Sequence, residues 1–217
     1  VTDPSGNSSN CTATVTTQDN TNPAAMCQHV TVTLNASGTG STTATSVNNG
    51  SSDACAGLTF SLTQTSFGCS DVGSQTETLT VTDANSNSST CTATITTQDV
   101  TNPVAVCQNV TVVLNSAGNG STSANAVDNG SSDACGISKS LSQVNYNCSD
   151  VGGQTETLTI TDPSGNSASC TATVTTQDNT FPSAVCQNRT VTLNAVGNGS
   201  LAAADVDNGS SDACTVS

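Results

Sequence analysis

The sequence predicts an all-β protein, built as a string of small antiparallel β-sandwiches. Three observations predict it. A block of cysteines, alternating runs and turns recurs about every eighty residues. Within each block, apolar residues alternate with Thr and Ser over four to eight positions. Clusters rich in Gly, Asn and Asp separate these runs, and no helical periodicity is present. Alternation at a period of two, with β-branched residues outward, marks strands with one buried face. A β-solenoid is the rival architecture, but its coil closes within a few tens of residues at most. A repeat of this length and irregularity does not fit one.

The repeat is clearest in the stretch 91–115, CTATITTQDVTNPVAVCQNVTVVLN, which recurs at 11–35 and 170–194. Cys11, Cys27 and Cys55 return eighty residues later as Cys91, Cys107 and Cys135. From Cys69 onward the offset is seventy-nine, giving Cys148, Cys170, Cys186 and Cys214. One residue is therefore lost between Cys135 and Cys148, which places the change in a loop or loose strand. The chain divides into the closing strands of one repeat (1–19), two whole repeats (20–99 and 100–178) and the first half of another (179–217).

In the first whole repeat the elements follow in order. Val30, Val32 and Leu34 alternate with Thr31 and Thr33. Cys27 has the opposite parity from these three, so a bulge or bend is expected at Gln28–His29. Residues 41–47 (STTATSV) are β-prone but weakly apolar. Leu58, Phe60 and Leu62 form the next alternating run, then Leu79 with Val81, then Cys91, Ala93 and Ile95. The turn clusters NASGTG, NNGSSD, SDVGS and DANSNS punctuate them.

Composition limits both core and partners. The 217 residues include no Trp, one Tyr, three Phe and one Met, but eleven Cys. Aromatics carry much of core burial, so several small stapled cores fit better than one large one. Repeated cysteine spacings at this density point to disulfides and an oxidising compartment, which means an extracellular or cell-surface location. Sixteen acidic residues face two basic ones, a net charge of −14. That excludes nucleic-acid binding, which needs Lys and Arg to displace counterions, and docking on anionic lipid. No apolar run reaches membrane-spanning length, so no membrane insertion is expected in this stretch.

Residues 71–99, DVGSQTETLTVTDANSNSSTCTATITTQD, resemble the closing half of the hyalin repeat, an immunoglobulin-like extracellular module. Residues 161–178, TDPSGNSASCTATVTTQD, match it more closely through Gly165 and Asn166. Pro103 and Cys107 fit the opening half, as does the Asp128–Asn129–Gly130 loop leading to Cys135. The usual large aromatic of the second strand is missing. The richness in Thr, Asn and Ser is similar to that of the large repetitive surface adhesins of Bacteroidota. The resemblance implies an immunoglobulin-like sandwich with an extracellular structural or adhesive role.

Four cysteines per repeat allow three pairings. Joining Cys91 to Cys107 would force the linker to double straight back, because an eight-residue strand spans roughly 26 Å and bridged Cα atoms must lie within about 7 Å. In immunoglobulin-like sandwiches the first and last strands run as parallel neighbours, which brings Cys27 to Cys91 and Cys107 to Cys170. Cys55–Cys69 and Cys135–Cys148 are then the remaining pairs. Cys11, Cys186 and Cys214 are left to partners outside this sequence.

No constellation for catalysis is present, and the chain is not expected to be an enzyme. His29 is the sole histidine, and Asn109 and Asn188 occupy its place elsewhere, so it reads as a surface residue. Glu77 and Glu156 recur singly, whereas a glycosidase needs two facing carboxylates. Cysteine spacings do not match a zinc pattern. Calcium is the one candidate cofactor. Oxygen ligands gather at the seam between repeats (Asp19 with Asn22, Asp99 with Asn102, Asp178 alone). They gather again in the loop that holds Asp128 and Asp133, repeated as Asn48 with Asp53 and as Asp207 with Asp212. Calcium takes six to eight oxygens and neither place supplies them alone. The competing reading is Asx turns, in which each side chain caps its own backbone.

The functional expectation is a structural, load-bearing array, the stalk or filament of a secreted or surface adhesin. Its partners would be neighbouring modules of the same chain, with lateral self-association. The alternatives are a loop-mediated glycan or protein binding module, and a Thr-rich ice- or mineral-binding surface. A binding module normally exposes aromatic or Arg anchors, and a mineral-binding ladder must be flat, which a twisted sandwich is not.

Overall fold

The computed structural model describes residues 1–214, and they divide into two compact units, Val1–Asp99 and Val100–Ser217. Each holds one complete immunoglobulin-like sandwich.

In the first unit the strands are β1 (Val30–Thr33), β2 (Thr39–Ser41), β3 (Thr59–Leu62), β4 (Ser66–Gly68), β5 (Gly73–Thr82) and β6 (Ser88–Gln98). A four-stranded sheet runs β1-β6-β5-β3, and β2 pairs with β4 in a second, smaller layer. β5 and β6 form a long antiparallel hairpin, from Gly73↔Thr97 to Thr82↔Ser88. β1 lies parallel to β6, in register from Val30↔Ile95 to Thr33↔Gln98. Inward residues of the sheet (Val32, Leu79, Val81, Ala93, Ile95) are buried together with Leu34, Val47 and Phe67. The layers approach closely: a Cβ added to Gly40 of β2 would lie 2.6 Å from Val32 Cγ1. Glycine is required there by lack of space.

The second unit repeats this plan with β7 (Val110–Val113), β8 (Asn119–Ser121), β9 (Ser138–Leu141), β10 (Asn145–Asn147), β11 (Gly152–Thr161) and β12 (Ser167–Gln177). The sheet runs β7-β12-β11-β9 and β8 pairs with β10. Its core joins Val112, Leu114, Val127, Tyr146, Leu158, Ile160, Ala172 and Val174. Phe67 and Tyr146 hold equivalent places, so each small core has one aromatic. The residue lost between repeats lies in the turn before the third strand. Cys55-Ala56-Gly57 in one unit is Cys135-Gly136 in the other, and both glycines have positive φ.

Several expectations need correction. Residues 41–47 are not one strand. They are the end of β2 followed by a single helical turn, α1 (Ala44–Val47), with α2 (Ala124–Val127) and α3 (Ala203–Val206) at equivalent places. Thr43 Oγ1 accepts from the Ser46 backbone N–H at 3.2 Å, an N-cap that closes the turn and drops Val47 into the core. One turn is too short to show a helical period. The bend expected at Gln28–His29 is present as a change of partner. Cys27 bridges to Asn48 and Gln28 N–H donates to Val47 O at 2.9 Å, whereas pairing with β6 starts only at Val30.

The two partial repeats do not form the strands predicted for them. Residues 9–22 and 187–202 carry no regular structure. Leu193 is 61% exposed while its equivalent Leu114 is 3% exposed. The difference is the partner strand, since Val110–Val113 pairs with β12 and the equivalent run after Cys186 has no such neighbour. An alternating segment becomes a strand only when another strand takes its hydrogen bonds.

Candidate functional site

Disulfides are the chemically committed groups. Cys27 bonds Cys91 and Cys107 bonds Cys170, with Cα–Cα separations of 5.8 and 5.9 Å. Each joins the approach to the first strand with the last strand of its own sandwich. The parallel pairing of those strands sets their starting ends side by side, which makes the short separation possible.

The other expected pairs are not formed. Cys148 bonds Cys214, so Cys135–Cys148 is excluded and Cys214 finds its partner inside the sequence. Cys55 is a free, exposed thiol, so Cys55–Cys69 is excluded, and Cys69 and Cys135 are both disulfide-bonded. The physical reason is placement. Cys69 Sγ lies 3.8 Å from Gly38 O, on the turn that leads into β2, whereas Cys55 sits beside Asp19 and Asp53. In the second unit Cys148 Sγ is likewise 3.8 Å from Gly118 O, and there it meets Cys214. Cys11 and Cys186 are free and exposed.

The acidic residues resolve into local caps and, in the first unit, one cluster. In the first unit the seam and the loop prove to be one place. Ligand atoms of Asp19, Asp53 and Cys55 all lie within 4.8 Å of one another. The segment around Asp19 is held there by Asn87 Nδ2, which donates to Asp19 O at 3.1 Å, and by Ser89 Oγ, which donates to Pro23 O. Asp19 Oδ1 accepts from Thr21 N–H at 2.9 Å, and that bond above all holds its carboxyl below the usual range. Asp53 Oδ1 accepts from Cys55 N–H at 2.7 Å. The Asp19 carboxylate favours the protonated thiol of Cys55 and pushes its pKa up. Such a trio offers two hard oxygens and a neutral, soft sulfur, a poor match for a calcium shell of six to eight oxygens. Asn22 is exposed.

Asp128, Asp133, Asp207 and Asp212 each bond backbone close by in sequence. Asp128 Oδ1 accepts from Ser131 N–H at 3.0 Å, and Oδ2 lies 2.7 Å from Lys139 Nζ. That ion pair, with the Ser131 hydroxyl second, holds the Asp128 carboxyl down to about 2. Asp133 Oδ1 accepts from Cys135 N–H at 2.8 Å. Asp207 Oδ1 accepts from Ser210 N–H at 3.0 Å, and Ser210 holds its pKa below the usual range. Asp212 Oδ1 accepts from Ala213 N–H at 2.8 Å. Asp99 is buried and Asn102 exposed. Among the described residues, Asp128, Asp207 and Asp212 join no metal-ligand cluster. The Asx-turn reading accounts for these bonds.

Three features escaped the sequence reading. Glu77 and Glu156 are not isolated at strand starts: they face inward, 7% and 6% exposed, on the same side as Leu79 and Leu158. Thr63 Oγ1 donates to the Glu77 carboxylate and accepts from Thr78 N–H at 3.0 Å, and Ser142 does the same for Glu156 and Thr157 N–H at 2.9 Å. One hydroxyl thus ties the end of the third strand to the hairpin. His29 is exposed, yet its Nδ1 accepts from Thr94 N–H at 2.9 Å, and Asn109 Oδ1 accepts from Thr173 N–H at 2.8 Å. These side chains take the amide that the partner switch leaves over. The third feature is a pair of equivalent threonines, Thr97 and Thr176, whose buried Oγ1 atoms have no hydrogen-bond partner.

The outward face of the main sheet is an array of hydroxyls. Thr76, Thr78 and Thr80 of β5 lie opposite Thr94, Thr92 and Thr90 of β6, and Thr155 and Thr157 lie opposite Thr173 and Thr171 in the second unit. Neither Phe67 nor Tyr146 reaches a surface, since both are buried in the cores. Among the described residues, Phe181 is the exposed aromatic, at 92%.

No protein-family model and no curated protein matches the chain. Among solved structures, it is similar to the EC21-23 fragment of human CDH23, at 11% identity over 82% of this chain and 80% of that one, with a TM-score of 0.39. It is similar to the EC22-24 fragment of mouse Cadherin-23, at 13% identity over 72% and 65%, with a TM-score of 0.37. It also matches an endo-fucoidan hydrolase of glycoside hydrolase family 107, at 20% identity and a TM-score of 0.26, over 57% of this chain but only 24% of the hydrolase. The sandwich assignment rests on the strand order and pairing described above, and these scores add nothing to it.

Proposed function

We propose that the chain is a load-bearing segment of hyalin-type repeats, part of the stalk or filament of a secreted or cell-surface adhesin. The observation that carries this reading is the disulfide that fastens the approach to the first strand to the last strand in both complete sandwiches. Tension entering at Cys27 crosses the sulfurs to Cys91 and leaves along β6. The 63 or 64 residues of separation between the bonded cysteines are bypassed and stay folded. Outside these two bonds lie about 15 residues per repeat, 92–106, which span at most roughly 50 Å when extended at 3.4 Å each. Without the bond about 80 residues extend, roughly 270 Å. The end of β6 is held by parallel bonds to β1 and antiparallel bonds to β5, so pulling it out along its axis shears both ladders together.

The sheet faces are covered with hydroxyls, and among the described residues Phe181 and Arg189 are the lone exposed aromatic and arginine, fewer anchors than binding modules gather. Two measurements test the reading on the natural, full-length protein. Antibody against the repeat should label intact, non-permeabilised cells or the medium. A glycan array probed with the repeat segment should show no binding. Labelling only after permeabilisation, or saturable binding to one glycan class, would refute it.

A further inference from the structure

We propose that the overlapping disulfides of the second unit hold it in one covalent piece after its backbone is cut in the exposed segment that follows the sandwich. Cys107–Cys170 and Cys148–Cys214 have sequence separations of 63 and 66 residues. The second loop opens at 148, inside the first, and closes at 214, beyond it. A cut between 107 and 170 is spanned by the first bond, and a cut between 148 and 214 by the second. Every peptide bond from Cys107 to Cys214 is therefore bridged by at least one disulfide.

One segment that needs this protection is 178–182. It has no strand or helix, Asn179 and Pro182 are exposed, and Phe181 is 92% exposed. Accessible backbone outside regular structure is where proteases cut. A single bond per sandwich, Cys107–Cys170, would leave this segment as a point of complete scission. Cys148–Cys214 removes that weakness.

The bond has a fitted seat. Gly118 takes φ +74 in the turn that ends at β8. A Cβ there would lie 2.6 Å from Cys148 Sγ and 3.6 Å from Cys214 Sγ. The sulfurs thus rest on bare backbone, and a side chain at this position would displace them.

The overlap also gives a second load path. With 178–182 cut, tension arriving at Cys170 runs back along the β11–β12 hairpin to Cys148 and out through Cys214. That hairpin is paired over ten positions, from Gly152↔Thr176 to Thr161↔Ser167. Even fully opened, the stretch from Cys148 to Cys170, a separation of about 22 residues, adds only about 75 Å. A nick becomes a bounded lengthening.

The test is a specific endoprotease site inserted between Asn179 and Thr180 of the full chain, cleaved to completion under oxidising conditions. The expected result is one band of unchanged mobility on a non-reducing gel, a mass gain of one water, and two fragments once reductant is added. The same insertion in the C214S variant should release two fragments without reductant. Peptide mapping of the unsubstituted, uncleaved protein should recover a Cys148–Cys214 cross-linked pair, which keeps the test independent of how the variants fold. Fragment release from the unsubstituted background without reductant, or recovery of Cys135–Cys148 peptides, would overturn the proposal.

Discussion

Removing the Cys27–Cys91 bond by the double substitution C27S/C91S should reveal how much of each sandwich's stability its disulfide supplies. The bonded cysteines are 64 residues apart. For a loop of that length, lost chain entropy in the unfolded state corresponds to about 4 kcal/mol at 25 °C. The first unit has a small core with one aromatic, Phe67, and total stabilities of such domains lie at only about 5–15 kcal/mol. The bond is thus a large share of the whole. Each kcal/mol moves the midpoint of a domain this size by roughly 4–8 °C, so a fall of roughly 15–30 °C is expected. The assay is equilibrium urea denaturation with thermal melts, on the oxidised protein and the variant. The urea m-value should rise, because the unfolded variant exposes more surface. A loss below about 1 kcal/mol, with unchanged m, would refute the argument that the core is too small to hold unaided.

Further outcomes follow from individual residues. Thr63→Ala and Ser142→Ala should each cost about 1–3 kcal/mol by leaving a buried Glu carboxylate and a strand amide without their shared hydroxyl. Thr63→Ser should be neutral, because Ser142 already fills that role in the other unit; equal stability of all three variants in urea melts would dispose of the idea. Thr97→Val and Thr176→Val should be neutral or stabilising by about 1 kcal/mol, since each deletes a buried hydroxyl with no partner at constant shape; a loss above about 1 kcal/mol would show that the hydroxyl is used. In acid, the second unit should lose about 1–2 kcal/mol as the pH falls from about 4 to about 2. Asp128 is held down to about 2 by Lys139, so its contribution is complete above the unfolded value of 3.8 and vanishes on protonation. Lys139→Met should remove the larger part of that acid dependence, read by pH-dependent melts, and its full persistence would point to another carboxylate.

The strands of the complete repeats were legible because their alternation is strict. Val30–Val32–Leu34, Leu79–Val81 and Ala93–Ile95 each declare one inward face, and all but the half-buried Val30 become core. The parallel first and last strands, and with them Cys27–Cys91 and Cys107–Cys170, follow from the sandwich plan. What stayed hidden depended on contacts far apart in sequence. Cys214 meets Cys148 because the two come together at Gly118, a meeting that no spacing encodes. The inward direction of Glu77 was readable from its parity with Leu79 and Val81, but its charge argued against burial until the Thr63 partner was visible. Phe67 and Tyr146 stand at the repeat offset and could have been matched from sequence. Their separation by the one-residue deletion obscured the match. Asp19 and Asp53 looked like members of two separate motifs, and only the fold shows that they are neighbours.

Stretching single molecules of the repeat array is the decisive measurement of the proposed mechanical role. Under oxidising conditions each repeat should lengthen by only about 50 Å before the disulfide halts it, and with reductant by roughly 270 Å. Long extensions in the absence of reductant would contradict the claim that these disulfides keep the sandwiches out of the load path.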